Sequence, residues 1–172
     1  MFINYTKRVI AVGIMITITT LTCVTTINLF DPHRYIRTYQ DSALVPYLKN
    51  FKEEAAMRGI KLDERPISLL FSAPVLTSDT TVGECLSRPN EIIILIDRGH
   101  WDSIKEASRE ELMFHELAHG LLKRHLHCDN EVDGKRLSIM GAYVGDPNDY
   151  YSRRDQLISE LFEADKRCKE NK

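Results

Sequence analysis

Residues 115–125 read H-E-L-A-H-G-L-L-K-R-H, and no other stretch restricts the chain so strongly. His115 and His119 are four apart. On an α-helix that is about 400° of rotation, so both imidazoles leave one face a turn apart. Two nitrogens so placed can share one zinc ion. Glu116 lies about 100° round from His115, beside a shared ion rather than on it. A carboxylate there can take a proton from water that a metal activates. The fold must then bury one side of this helix and open the other to a cleft. The bland alternative is a surface helix with two solvated histidines. The chain holds only six histidines, and at ordinary residue frequencies H-E-x-x-H arises by chance in well under about 1 in 100 chains of this length.

A hydrolytic zinc site usually has three protein ligands and keeps the fourth position for water. His125, ten residues after His115, is the choice for the third. In an unbroken helix it would lie about 15 Å along the axis from His115 and could not reach the same ion. The helix must therefore end soon after His119 and the chain must turn back. His127 and Asp129 are nearby substitutes, with His127 read as an exposed histidine without a role. A rival scheme, as in thermolysin-like enzymes, takes a glutamate from a later helix, Glu160 or Glu163. Neither has the aspartate four residues on that such enzymes carry.

The hydrophobic pattern surrounds this helix with a small domain. Leu44, Leu48, Phe51 and Ala55 recur at helical spacing and Gly59 ends that run. Residues 67–71 form a strand bounded by Pro66 and Pro74. Residues 80–86 are a weaker, polar and β-branched strand suited to an exposed edge. Residues 92–96 are five consecutive aliphatics, a buried strand. Ser108 and Glu111 resemble a capping box for the histidine helix, whose buried face is Leu112, Phe114, Leu117, Ala118 and Leu121. His100 and Trp101 fall in a loop before it. A last helix is predicted over 152–169, with Leu157, Ile158, Leu161 and Phe162 as its stripe.

The N-terminus reads differently. Lys7 and Arg8 precede an uncharged run over 9–30. As a helix this would reach about 33 Å, enough to cross a hydrocarbon core. The positive pair keeps its end in the cytoplasm and sends the rest outside. Six threonines between Thr17 and Thr26 weaken the run, so a cleaved signal competes with a retained anchor. Cys23 adds lipidation, though the residues before it fit that pattern poorly. The expected organisation is a signal or anchor over 1–30, a tether over 31–43 and one domain over 44–172. The expected location is the cell envelope outside the cytoplasm, or secretion if the segment is cleaved. An exported domain could oxidise Cys85, Cys128 or Cys168 in pairs, although three is an odd number. The net charge of −2 offers no basic field for nucleic acid.

His115, Glu116, His119 and His125 match the metzincin pattern H-E-x-x-H-x-x-G-x-x-H, and residues 138–143, S-I-M-G-A-Y, resemble the Met-turn of that clan. The segment from Gly83-Glu84-Cys85 through 92–97 and Trp101 to the histidine helix also resembles small bacterial metzincin-like peptidases. The resemblance implies a zincin-like fold of the α/β or α+β class, with a small twisted mixed sheet packed on the zinc helix and helices at both ends. It implies a zinc endopeptidase with Zn2+ on His115, His119 and His125, Glu116 as general base and Met140 packed beneath. Tyr143 is a candidate transition-state stabiliser, with Tyr150 and Tyr151 as competitors. The substrate would be an extended peptide paired with the edge strand. One departure matters: the family's glycine three residues after the second histidine is Leu122 here, and leucine resists the left-handed backbone that glycine accepts. The competing class is a non-catalytic, zinc-stabilised envelope protein. Glu116 speaks against it, because a structural site needs no free carboxylate and closes with a fourth protein ligand.

Overall fold

The structure is a computed structural model that describes residues 38–72 and 81–163. The 1–30 segment, most of the tether and the end of the last predicted helix lie outside those residues. Among the described residues no helix is long and apolar enough to cross a membrane.

Over the described residues the domain is mixed α+β, with four helices and a small sheet. Helix α1 spans Val45–Met57. Pro46 suits its first turn, where a missing N–H costs nothing, and Gly59 takes φ +63° just past its end. Strands β1 (Ile67–Ser72), β2 (Gly83–Arg88) and β3 (Glu91–Asp97) form one sheet in the order β1-β3-β2. β1 runs parallel to β3, with Leu69 opposite Ile94, and β2 runs antiparallel to it, with Cys85 opposite Ile94. β3 is central, and Ile92, Ile94 and Ile96 turn to the core. Ile93 and Leu95 remain half-buried on the other face, so the aliphatic run alternates rather than being buried on both sides.

The free side of β1 is met by residues 39–41, with a bridge from Gln40 to Leu69 and a bond from the Leu69 N–H to the Tyr39 carbonyl at 2.8 Å. The last part of the expected tether thus joins the sheet. Among the described residues nothing pairs with the outer side of β2, which leaves it as the open edge.

Helix α2 (Arg98–Ser103) replaces the loop expected around His100 and Trp101. The Asp97 side chain caps it by accepting from the His100 N–H at 2.5 Å. Helix α3 (Glu106–Leu121) carries H-E-x-x-H and lies at the centre of the fold. It starts earlier than the capping-box reading placed it: Ser108 and Glu111 are both buried inside it. Glu111 is held by Arg136 and by the Gly145 N–H at 3.1 Å, so it is not free to cap. A tight hairpin, β4 (Glu131–Val132) with β5 (Lys135–Arg136), turns on Asp133 and Gly134, both at positive φ.

Helix α4 (Pro147–Phe162) also starts early, because Asp146 caps it by accepting from the Asn148 and Asp149 N–H groups. The Ser152 start signal instead sits beside an internal kink at Arg153. The helix stops at Phe162, short of the expected 169, since Glu163 is already extended.

α1, α3 and α4 share the core. Phe51 stands between Phe114 at 5.1 Å and Phe162 at 4.9 Å. Burying each such side chain stabilises the fold by about 1.5–3 kcal/mol. Arg154 forks onto both Glu110 oxygens at 2.8 Å and reaches Glu54 at 3.3 Å, tying the three helices together. Gly120 permits α3 to lie close on the sheet: a Cβ there would stand 2.7 Å from Ile92 Cγ2.

Asp63 secures the end of α3. Its N–H donates to the Leu121 carbonyl at 3.0 Å, and its carboxylate accepts from Arg65 at 2.9 Å and pairs with Lys123 at 3.2 Å. Hydrogen bonds from Arg65, aided by Lys123, hold this carboxyl below the usual range. A depressed native pKa gives stability that is fully present above the unfolded value of about 3.9 and lost as pH falls through the lower native one. Asp63→Asn should therefore destabilise the protein by about 1 kcal/mol near neutrality. Its gap from wild type in urea midpoints should close as pH is lowered below about 4.

Candidate metal centre

α3 presents His115 and His119 one turn apart at the floor of a cleft of about 710 Å³. The side wall is β2, from Gly83 to Ser87, and the opposite wall is the 139–144 segment. Each histidine is fixed by a backbone carbonyl. His115 Nδ1 is 2.9 Å from the Ile139 carbonyl, and His119 Nδ1 meets the Arg124 carbonyl. A carbonyl only accepts, so both Nδ1 atoms carry the hydrogen and both Nε2 atoms offer lone pairs. Those two Nε2 atoms face each other at 3.0 Å.

Two acceptors at that separation repel unless a proton or a cation lies between them. Burial is the main force that pushes the His115 pKa down, to about 4, and burial likewise lowers that of His119. A proton is therefore a poor partner near neutrality. A metal cation satisfies both nitrogens, and imidazoles with Nδ1–H on a carbonyl are the usual state of metal-bound histidine. For tetrahedral zinc at about 2.0–2.1 Å the two nitrogens would stand about 3.3 Å apart, close to the observed spacing.

The third member of the group is His127. One nitrogen from each of His115, His119 and His127 lies within 4.8 Å of the others, and these three residues could hold a metal ion. The His127 ring stacks on His115 at 5.1 Å between centroids. His125, the sequence choice, lines the same cleft but lies outside this group. The helix exit explains the difference. Leu122 stays near the helical region at φ −100°, and the left-handed residue is Lys123 at φ +58°, one place after the position where the metzincin pattern has glycine. The N–H groups of Leu122 and Arg124 both reach the Ala118 carbonyl, at 3.1 and 3.2 Å. The chain therefore leaves the helix later, and the histidine that returns over the site comes later too. Gly120 has the packing role described above and takes no part in the turn.

Glu116 is 5% exposed and faces β2: a Cβ on Gly83 would stand 2.6 Å from its Oε1. Burial first, and then the Glu84 charge, raise its pKa to about 8. Met140 is buried, in a turn whose neighbouring parts bond to His115 and next to His127. Ile139 holds His115, and the Met140 carbonyl accepts from the Cys128 N–H at 2.7 Å, next to His127. The Ser138 hydroxyl closes the turn by accepting from the Met140 N–H at 3.0 Å. Asp129 accepts from the Ala142 N–H at 2.6 Å, so it serves the same turn.

The rival glutamates do not join the cleft. Glu160 faces Arg124 at 3.6 Å, and the Glu163 carbonyl accepts from the same guanidinium. Tyr143 lines the cleft mouth but is 84% exposed. Tyr150 is buried and donates to Glu110 at 3.1 Å, and Tyr151 is exposed and lies outside the cleft lining. His100 lines the cleft. Cys85 is a free thiol in the β2 wall, and burial pushes its pKa up to about 12, which favours the thiol over the thiolate.

Comparison with protein-family models found no match, and comparisons with curated proteins and with solved structures returned no significant match. The site is therefore read from its own geometry. His127→Ala should weaken binding of Co2+, a spectroscopic probe for this donor set, by at least about 100-fold, whereas His125→Ala should change it little. Equal losses in the two variants, followed by absorption titration, would reassign the third position.

Proposed function

We propose that this protein is a zinc-dependent endopeptidase of the metzincin-like, zincin type. The observation that carries the reading is the pair of Nε2 lone pairs facing each other on an open cleft, with an uncommitted third imidazole above them and a buried carboxylate alongside. Three histidines leave the remaining position on a tetrahedral zinc ion to water, which is the donor set of a hydrolytic site rather than a closed structural one.

A zinc ion on His115, His119 and His127 would supply Lewis-acid polarisation of the scissile carbonyl and acidify the attacking water. The chain's own residues do the rest. Glu116 takes the proton from that water and passes it to the leaving amine. Its place on the α3 face toward β2 sets it between the histidines and the strand where substrate would run. An extended peptide pairs along the open edge of β2, and its backbone supplies the register. Gly83 leaves room there for the Glu116 side chain.

Two features support a site of action outside the cytoplasm. The uncharged 9–30 run after Lys7 and Arg8 suits an export signal or an anchor, and Cys128 is engaged in a disulfide, a bond that persists in oxidising compartments.

Glu116→Gln keeps size and packing but removes the base. It should lower peptide hydrolysis by at least about 100-fold while zinc content per chain stays at the wild-type value. The check pairs a peptide-library digestion with metal analysis. Undiminished cleavage by the variant would remove Glu116 from the chemistry, and no cleavage by zinc-loaded wild type would remove the peptidase reading.

A further inference from the structure

His127 lies between α3 and β4 in a stretch that is neither helix nor strand. Among the described residues no hydrogen bond holds its ring, which packs against the imidazoles of His115 and His119. Its position must then come from the anchors on either side. Upstream, Lys123 pairs with Asp63, and the Arg124 guanidinium donates to the carbonyls of Glu160 and Glu163 at the end of α4. His125 and Leu126 are exposed and add no anchor. Downstream the anchor is Cys128, the very next residue. Its side chain is 3% exposed and disulfide-bonded, and its N–H donates to the Met140 carbonyl.

We propose that the Cys128 disulfide is the positioning element of the third metal ligand, so that the protein holds its metal more tightly while this bond is oxidised. The proposal rests on the reading of His127 as a ligand. His115 and His119 need no such device, because α3 and two carbonyls fix them. With the bridge open, that end of the stretch keeps only hydrogen bonds, from the Cys128 N–H to the Met140 carbonyl and from the Ala142 N–H to Asp129, and the covalent hold beside the His127 ring is gone. Reduction by a trialkylphosphine, which takes an oxygen atom from water and ends as the phosphine oxide, converts the bridge into two thiols.

The test measures the Zn2+ dissociation constant of the full chain by competition with a chromophoric chelator. The protein is compared oxidised, and then reduced with its thiols alkylated so that they cannot bind zinc. Reduction should weaken binding about 10- to 100-fold, the usual cost of losing support behind a ligand, with the far-UV circular dichroism unchanged. Cys128→Ser should show the same loss without reductant and no further loss with it. In His127→Ala, where the positioned ring is gone, reduction should leave the residual affinity unchanged. A purely structural role for the bond would weaken His127→Ala as much as wild type, and that result would overturn the proposal. So would undiminished affinity in wild type whose opened bridge is confirmed by thiol titration, or a loss that accompanies global unfolding. Failure of the oxidised wild type to bind zinc at all would overturn the ligand reading beneath it.

Discussion

Two backbone carbonyls, those of Arg124 and Ile139, determine what the histidines of this protein can offer. An imidazole has two nitrogens, and its tautomer follows the stronger local acceptor. By engaging Nδ1 of each ring, the carbonyls turn both Nε2 lone pairs to one point on the cleft floor. Neither carbonyl is in α3. One belongs to the turn just after that helix and the other to the segment 18 residues after Leu121. The helix alone gives two histidines on one face. Only the tertiary fold gives two histidines of defined tautomer, and the same turn that supplies Ile139 also anchors the chain beside His127.

α3 therefore serves two purposes around its circumference. Leu112, Phe114, Leu117 and Ala118 pack into the common core with α1, α4 and the sheet, while His115 and His119 face the cleft. These demands meet at Glu116 and Gly120, which point toward the sheet side. There the neighbours are chosen for space: Gly83 opposite Glu116, and Gly120 itself against Ile92 and Cys85. A larger residue at either glycine would push the helix away from β2 and widen the cleft at its floor.

The spacing of the histidines and the apolar stripe of α3 were legible in the sequence, because helical periodicity depends on local geometry alone. The three strands and the weak, polar nature of the edge were legible for a similar reason. The third imidazole was not. Its position depends on which residue takes the left-handed conformation after the helix, and that fell to Lys123, a residue with no glycine-like signature but with Asp63 waiting for its amine. The start of α3 was missed because Ser108 and Glu111 carry a capping pattern, yet Glu111 is drawn inside by Arg136, 25 residues on. The start of α4 was legible in principle, since Asp146-Pro147 is a cap followed by a first-turn proline. It was obscured by the second start signal at Ser152, where the helix kinks. Short elements such as α2 and the β4–β5 hairpin follow local cap and turn chemistry, at Asp97 and at Asp133-Gly134, that the apolar pattern does not report.

On the peptidase reading, the burial of Glu116 would connect base and metal. Buried and beside Glu84, its carboxyl favours the neutral form at physiological pH, and a neutral carboxyl cannot accept a proton. A nearby divalent cation reverses that preference, because a bound ion is the largest charge in such a site and stabilises the ionised form. On the peptidase reading, then, a cation held by the three histidines would both polarise the substrate and keep Glu116 ionised to act as base. A solvated carboxylate would stay ionised with or without the metal and would carry no such coupling. On that reading the closeness of β2 to α3 at Gly83, which helps to bury Glu116, would be part of the chemistry as much as of the packing.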